Sequence, residues 1–433
     1  MSLNGNATEL SEKAKKAINA WCMYDWGSSG FSTTIEATVL PVYFSTVIAA
    51  NLGQTALSYW AYLNAFALLV SAILSPILGS LADYTGSKKR FLLTFASVGI
   101  LATALMFFLD AGAWVLALGL FFFGTIGLSG SYVFYDSLLP HVAPPDKIDY
   151  VSSKGYALGY VGGGILLAAN IAMINSLDGT LGVRLSLLSV AVWWAIFTIP
   201  LILHVSEPEA HGGMLPKGLP PIQASFMQLR QTFGEIRKYR ELFKYLIAFW
   251  LFNDGIGTII KMATIYGSKL GIGNNDLIGA LLLTQFVGIP FSLLFGRFSK
   301  VLGTKRSIMA GLGWYAVITV AAYFMSVGWH FWALAFAVGM VQGGTQGLSR
   351  SLFGQMAPRA RSAEFFGFYD VSSKFAGILG PLLFGVINDR IGSPQLAIAA
   401  ICIFFLAGIF LLTRVNEAEG IRIAELENAK AGA

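Results

Sequence analysis

Apolar residues in this chain come in long, nearly unbroken runs separated by short polar connections. Each run is close to the ~20 residues that cross a ~30 Å hydrocarbon core as helix. The pattern predicts helices over 17–49, 55–81, 91–109, 114–138, 151–174, 185–205, 242–266, 276–298, 306–326, 330–353, 363–387 and 394–412.

The runs fall into two matching sets. Gly124-Thr-Ile-Gly-Leu-Ser-Gly-Ser131 returns as Gly344-Thr-Gln-Gly-Leu-Ser-Arg-Ser351, and Val151-Ser-Ser-Lys154 returns as Val371-Ser-Ser-Lys374, both at an offset of 220 residues (344 − 124 and 371 − 151). Trp21-x-x-x-Asp25 and Trp250-x-x-x-Asp254 form a third pair, 229 apart (254 − 25). One ancestral half written twice explains this. Six spans per copy bring the second half back to the starting side, so the repeats are parallel. The expectation is an all-α membrane protein of twelve transmembrane helices in two six-helix bundles. Its parts would be an N-terminal bundle over 1–205, a linker over 206–241, a C-terminal bundle over 242–413 and a tail over 414–433.

Composition agrees with a life in lipid. The 433 residues are 55% hydrophobic and 12% charged, with mean hydropathy +0.66, against roughly 25% charged in an ordinary soluble domain. The net charge of +6 is a topology signal. Lys13, Lys15, Lys16, Lys88, Lys89, Arg90, Arg237, Lys238, Arg240, Lys305 and Arg306 share one face, whereas the other carries Arg184, Lys269 and Arg390. That bias puts both termini in the cytoplasm and argues against nucleic acid as a partner; a bacterial inner membrane is the expected location. Cys22 and Cys402 both lie in predicted spans, so no disulfide framework is expected. Residues 1–16 are polar and the first apolar run is too long for a signal peptide, so none is expected.

Polar residues inside the runs are the candidate chemistry, because a charge at depth costs at least ~2.5–3.5 kcal/mol on insertion scales. In span 1, Asp25, Ser29, Ser32 and Glu36 make a single stripe, with Tyr24 and Trp26 beside it. Span 7 repeats it as Asp254, Thr258 and Lys261, next to Asn253, with Ile265 where Glu36 would fall. An acid outward in one copy and a base in the other make Glu36 and Lys261 a candidate external gate. In span 10, Gln342, Gln346 and Arg350 share a face, and the duplicate of Arg350 is Gly130. Asp370 and Lys374 of span 11 are spaced either to neutralise one another or to face a cavity. Lys154 of span 5 is placed either to snorkel or to line a cavity, and Gly155, Gly159 and Gly163 form a ridge for close helix approach. Gly380-Pro381 marks a kink in span 11. In the linker, Ile222, Phe226, Leu229, Phe233 and Ile236 make an apolar stripe opposite Arg230, Arg237 and Lys238, which predicts a surface helix acting as a tether.

The connection Gly79-Ser-Leu-Ala-Asp83-Tyr-Thr-Gly86-Ser-Lys88-Lys89-Arg90 resembles the loop between helices 2 and 3 of the major facilitator superfamily. The resemblance implies two six-helix bundles rocking about a central cavity, with Asp83 and the cluster ending in Arg90 gating the cytoplasmic side. The residue chemistry alone also fits a tight glycine turn with basic anchors. The second copy, Gly296-Arg-Phe-Ser-Lys-Val-Leu-Gly303-Thr-Lys305-Arg306, has Lys300 in place of Asp83, so the two halves are not expected to lock by identical contacts.

A narrower resemblance rests on Tyr24-Asp25-Trp26, Gly155-Tyr-Ala-x-Gly-Tyr160-x-Gly-Gly, Phe252-Asn-Asp254-Gly-Ile-x-Thr-Ile, Gly344-Thr-Gln-Gly-Leu-Ser-Arg350-Ser and Glu364-Phe-Phe-Gly-Phe-Tyr369 with Lys374 and Leu379-Gly-Pro381. Together these are similar to vacuole-effluxer-like transporters related to the autophagy-associated vacuolar amino-acid exporters of fungi. The resemblance implies secondary transport of a small molecule, with amino-acid export known among fungal members. A zwitterion suits the chemistry. Asp25 or Asp254 would hold an ammonium group or a proton, and Arg350 or Lys374 a carboxylate. Proton coupling is the expectation, with no cofactor, no metal and a monomer in the bilayer. Two other readings are an exporter of amphiphilic or lipid-like compounds and a non-transporting sensor, which would be expected to carry a soluble output domain. No Gly-x-x-x-x-Gly-Lys-[Ser/Thr] loop or Gly-x-Ser-x-Gly elbow supports an ATP-driven pump or an enzyme.

Overall fold

A computed structural model describes residues 10–53, 55–208, 220–235 and 237–431. Long helices fill it, and we number the spans 1 to 12. In the first half they are Glu12–Ile48, Thr55–Thr85, Lys88–Phe108, Trp114–Val142, Ile148–Ser176 and Leu181–His204. In the second half they are Arg240–Lys269, Asn274–Leu302, Thr304–Tyr323, Gly328–Met356, Arg359–Ile391 and Pro394–Thr413. Ten of these are long and apolar enough to cross a membrane by composition alone. Spans 9 and 10, at 20 and 29 residues, match the others in length but are diluted by glycine, serine and threonine. Span 10 is also the more deeply packed, with 16 of its residues buried (Phe331 to Met356).

Two apolar cores form, one from Ile18 to Val205 and the other from Tyr239 to Val415. Ala363 of span 11 is the exception, since it belongs to the first core. Contacts between the two groups of helices run from the end carrying Lys88 and Lys305, here called the basic face, as far as Tyr160 on Gly288.

Three elements differ from the sequence pattern for identifiable reasons. Span 1 widens into π-helix over Phe31–Thr38 and Phe44–Ile48 around Pro41, which has no N–H to give the carbonyl a turn earlier. Span 11 breaks before the Gly380-Pro381 pair: it runs Ser362–Phe375, unwinds at Gly377 with φ +88°, and restarts as Leu379–Ile391. The ring of Pro381 collides with the carbonyl of Gly377, so the helix opens one turn upstream, where glycine takes the left-handed φ. Finally, the linker helix Pro221–Gly234 packs on the spans through a polar face, Ser225, Gln228 and Thr232. Of its apolar stripe, Leu229 is buried and Phe226 exposed. The side chains of Ile222 and Phe233, and the whole of Ile236, lie outside the described residues.

Candidate functional site

The deepest polar cluster joins the two halves. Asp25 of span 1 is packed against the span 5 ridge so closely that a Cβ on Gly155 would come within 3.1 Å of its Oδ2, and one on Gly159 within 2.7 Å of Ser29 Oγ. Tyr132 and Tyr135 of span 4 each donate a hydrogen bond of 3.2 Å to the carboxylate. Arg350 of span 10 arrives from the other core. Its Nη1 lies 3.0 Å from Asp136 and 3.6 Å from Asp25, its Nε donates to Ser152 Oγ at 2.9 Å, and its Nη2 donates to the Ser152 carbonyl at 2.9 Å. Trp21, Tyr135 and Tyr156 surround the guanidinium with ring centroids at 4.9, 5.4 and 4.5 Å. Cation–π contact of this kind helps hold a desolvated cation. The cluster contains two carboxylates and one guanidinium, with 7%, 16% and 2% of the Asp25, Asp136 and Arg350 side chains exposed.

At the basic face, Asp83 caps span 11. Its oxygens accept the backbone N–H groups of Ala363 at 3.2 Å and Glu364 at 2.7 Å, a carboxylate on a helix N-terminus. The partner of Asp83 is Lys88, at 3.0 Å. Arg90 was the expected gating cation, yet its side chain is exposed and it meets Glu207 only through its backbone N–H. Helix geometry explains the correction, because Lys88 starts span 3 facing inward and Arg90 two residues later faces out. Lys88 also donates to Ser362 Oγ at 2.7 Å and the Arg359 carbonyl at 3.1 Å, both in the second half. The second copy, lacking an equivalent of Asp83, is tied differently. Asp149 of span 5 accepts from Thr304, Ser351 and Gln355 at 2.6, 2.5 and 3.0 Å.

The remaining candidates do not join this cluster. Asp254 is buried and accepts the N–H groups of Leu379 at 3.0 Å and Gly380 at 2.8 Å, so it caps the restarted half of span 11. Its sequence equivalence to Asp25 is not matched by equivalent partners. Asn253 is half-buried beside it. Lys374 pairs with Asp370 in its own helix, and Ser75 donates to that same carboxylate. The Lys261 ammonium would lie 2.7 Å from a Cβ on Gly377, at the break in span 11. Glu36, hydrogen-bonded to Ser32, stands within electrostatic range of Lys374 and Lys261, with no ion pair among the described residues. Lys154 donates to Asn19 at 2.5 Å. Gln346 is half-buried one turn before Arg350. Tyr24 packs its ring on Tyr132 and Tyr135, whereas Trp26 turns to Trp193 and Phe197 of span 6. Sequence reasoning missed Asp136, Ser152 and Lys88. An acid within an apolar run was the available signal for Asp136. Ser152 lay within the repeated Val151-Ser-Ser-Lys154 segment, with nothing to single it out there, and Lys88 looked like its neighbours.

Two six-helix groups locked at one face and joined by a buried interbundle arginine define a transporter of the major facilitator fold. The chain aligns with the crystal structure of the E. coli fucose:proton symporter FucP with a TM-score of 0.70 at 12% identity, covering 93% of this chain and 98% of that one. It aligns with the proton:xylose symporter XylE at 0.68 and 16%, covering 96% and 98%. Residues 13–425 match the family described as "Vacuole effluxer Atg22 like", and the chain belongs to that family. It is 38% identical over 430 residues to the uncharacterized MFS-type transporter YxiO of Bacillus subtilis, covering 97% of this chain and 99% of that protein. It is 25% identical over 453 residues to autophagy-related protein 22 of Coccidioides immitis, covering 87% and 75%.

Proposed function

We propose that the protein moves a small zwitterion, an amino acid or a close relative, by alternating access coupled to protons. The observation that carries this reading is the charge count at Arg350: two carboxylates, Asp25 buried and Asp136 mostly so, face one guanidinium. An unpaired buried charge is costly, so a proton on Asp25 or Asp136 balances the cluster. The cargo's carboxylate is received by Lys261 and Lys374 and its ammonium by Glu36, on the far side of Arg350 from the basic face. Arg350 itself has Nε, Nη1 and Nη2 engaged and acts as the interbundle lock. The positive-inside bias assigns the basic face to the cytoplasm. The contacts of Lys88, Asp83 and Arg350 then describe a carrier closed to the cytoplasm, and Glu36 with Lys261 an outer gate that closes around cargo. Resemblance to vacuolar amino-acid exporters supports the cargo class.

Proteoliposome flux tests it. Amino-acid transport should follow an imposed pH gradient in the wild type and lose that dependence in Asp136→Asn or Asp25→Asn. Flux indifferent to pH in all three would remove the coupling. A second reading, an amphiphilic cargo, is favoured by an apolar cavity of about 120 Å³ among spans 7 to 10 and span 12, lined by residues such as Ile259, Ala263, Leu281, Ile318, Val338 and Ile398. Flux stimulated by hydrophobic compounds and not by amino acids would select it.

A further inference from the structure

A second titratable site lies at the closed gate, at the end of span 4. His141 Nε2 is 3.0 Å from Lys88 Nζ and 3.2 Å from Ser362 Oγ. An ammonium has only donors, so Nε2 must accept, and the imidazole in this state is neutral with its proton on Nδ1. Lys88 thus distributes three N–H groups over His141, Asp83, Ser362 Oγ and the Arg359 carbonyl. Two of those acceptors belong to the first half of the chain and two to the second, which makes Lys88 the hub of the gate.

We propose that His141 is a cytoplasmic proton-binding site that releases this gate. Protonation removes the acceptor at Nε2 and sets an imidazolium 3.0 Å from an ammonium. Like charges at that separation repel strongly where water is sparse. The charged and polar groups described around the pair do not cancel the effect. From span 2, Asp83 already accepts Lys88 and two span 11 amides. A turn to Asp83 by the imidazolium would compete with those same bonds. From span 11, Ser362 and Arg359 contribute a hydroxyl and a carbonyl, while Arg361 is paired to Glu364. Glu364 in turn accepts from Gln228 of the linker helix and from Thr232. On span 4 itself, Asp136 is five residues earlier and held by Arg350. His141 keeps further interactions of its own in the closed gate. Imidazoles ordinarily titrate near pH ~6.5, within reach of cytoplasmic acidification. One proton taken up on opening shifts the balance by up to ~10-fold per pH unit.

The test reads the gate and not the cargo. Cysteines replace Asp146 and Val301, exposed at the basic face on opposite halves, after Cys22 and Cys402 are changed to serine. Spin-label distances are then followed in lipid nanodiscs from pH 8 to 5.5. The wild-type background should gain a longer-distance population as the pH falls across this range. His141→Gln should stay at the short distance throughout, and His141→Lys should be long at every pH. The readout needs neither cargo nor a proton gradient, so its outcome is separate from that of the coupling cluster. A pH response unchanged in His141→Gln, or absent from the wild-type background, would overturn the proposal. Equal melting temperatures across the set confirm that folded protein is being compared.

Discussion

The guanidinium of Arg350, rooted in one bundle, lies 3.0 Å from the carboxylate of Asp136, rooted in the other. Breaking a buried pair by deleting one partner costs about 3–5 kcal/mol, because the charge left behind has no water to turn to. Arg350→Gln should therefore weaken the closed state, seen as a lower melting temperature and faster alkylation of basic-face cysteines. Arg350→Lys should not restore it. Arg350 meets Asp136, Ser152 Oγ and the Ser152 carbonyl with three different nitrogens of one planar fork, and the single nitrogen of a lysine cannot stand at all three places. A fully stable, gate-closed Arg350→Lys protein would show that only the charge matters.

Asp254 makes a different prediction from Asp25, although the two recur in register. Its bonds to Leu379 and Gly380 are those of a helix cap, worth about 0.5–2 kcal/mol. Asp254→Ala should lower the melting temperature accordingly, and Asp254→Asn, which keeps one acceptor, should lose less. Transport by Asp254→Asn should survive in a protein of near-normal stability. Abolished transport without a change in melting would instead place Asp254 in contact with cargo or protons.

The twelve spans, the twofold repeat and the polar stripe of span 1 were legible because lipid punishes polar residues and makes the exceptions conspicuous. Partner choice was not legible. Asp25 and Asp254 sit at matching positions, yet one faces a glycine ridge that admits Arg350 and the other faces a helix break that needs a cap. Only the break, set by Pro381 and Gly377, decides between them. Lys88, Lys89 and Arg90 carry the same charge, and their helical phase determines which one reaches Asp83. The linker helix was legible as an amphipathic surface helix, but the partners of its polar side were not: Glu364 and the carbonyl of Ile77 draw in Gln228, Thr232 and Ser225.

Spans 2 and 11 meet at two glycines that leave no room for a methyl group. A Cβ on Gly79 would fall 2.2 Å from the Ala363 carbonyl oxygen, and one on Gly367 would fall 2.6 Å from Pro76 Cα. Both obstacles are backbone, so neither can swing away. Gly79→Ala and Gly367→Ala should each wedge the gate apart at about 1–3 kcal/mol, shifting the balance toward the cytoplasm-open state by roughly 5- to 150-fold. Alanine favours helix over glycine, so the folded protein should persist. Gly313→Ala, where a Cβ meets nothing within 4 Å, is the control. Unchanged basic-face accessibility in both wedge variants would mean that the two spans close less tightly than these distances state.

The tail helix Glu417–Ala431 provides a pH dependence of its own. Glu427 lies 2.9 Å from Lys238 at the start of the second half and 3.2 Å from Lys430. Partial burial pushes its carboxyl up, but hydrogen bonds from Lys238 and Lys430 outweigh burial and hold it below the usual carboxylate range. A carboxyl depressed in the docked state favours docking fully above its undocked value, ~4.3. That contribution is lost as the pH falls through the depressed value. Hydrogen exchange across 417–431, corrected for the intrinsic pH dependence of exchange, should thus be slow at pH 7 and rise below about pH 4.3. In Glu427→Gln it should be faster at pH 7 and flat through that window. The bond from the Arg359 N–H to Asn428, 2.8 Å, carries no titratable group and should keep part of the protection at every pH. An unperturbed imidazole takes up its proton about two pH units above a carboxyl, so gate opening with the tail still protected is the expected order as the pH falls. Tail release first would mean that the helix, rather than Lys88, holds the gate.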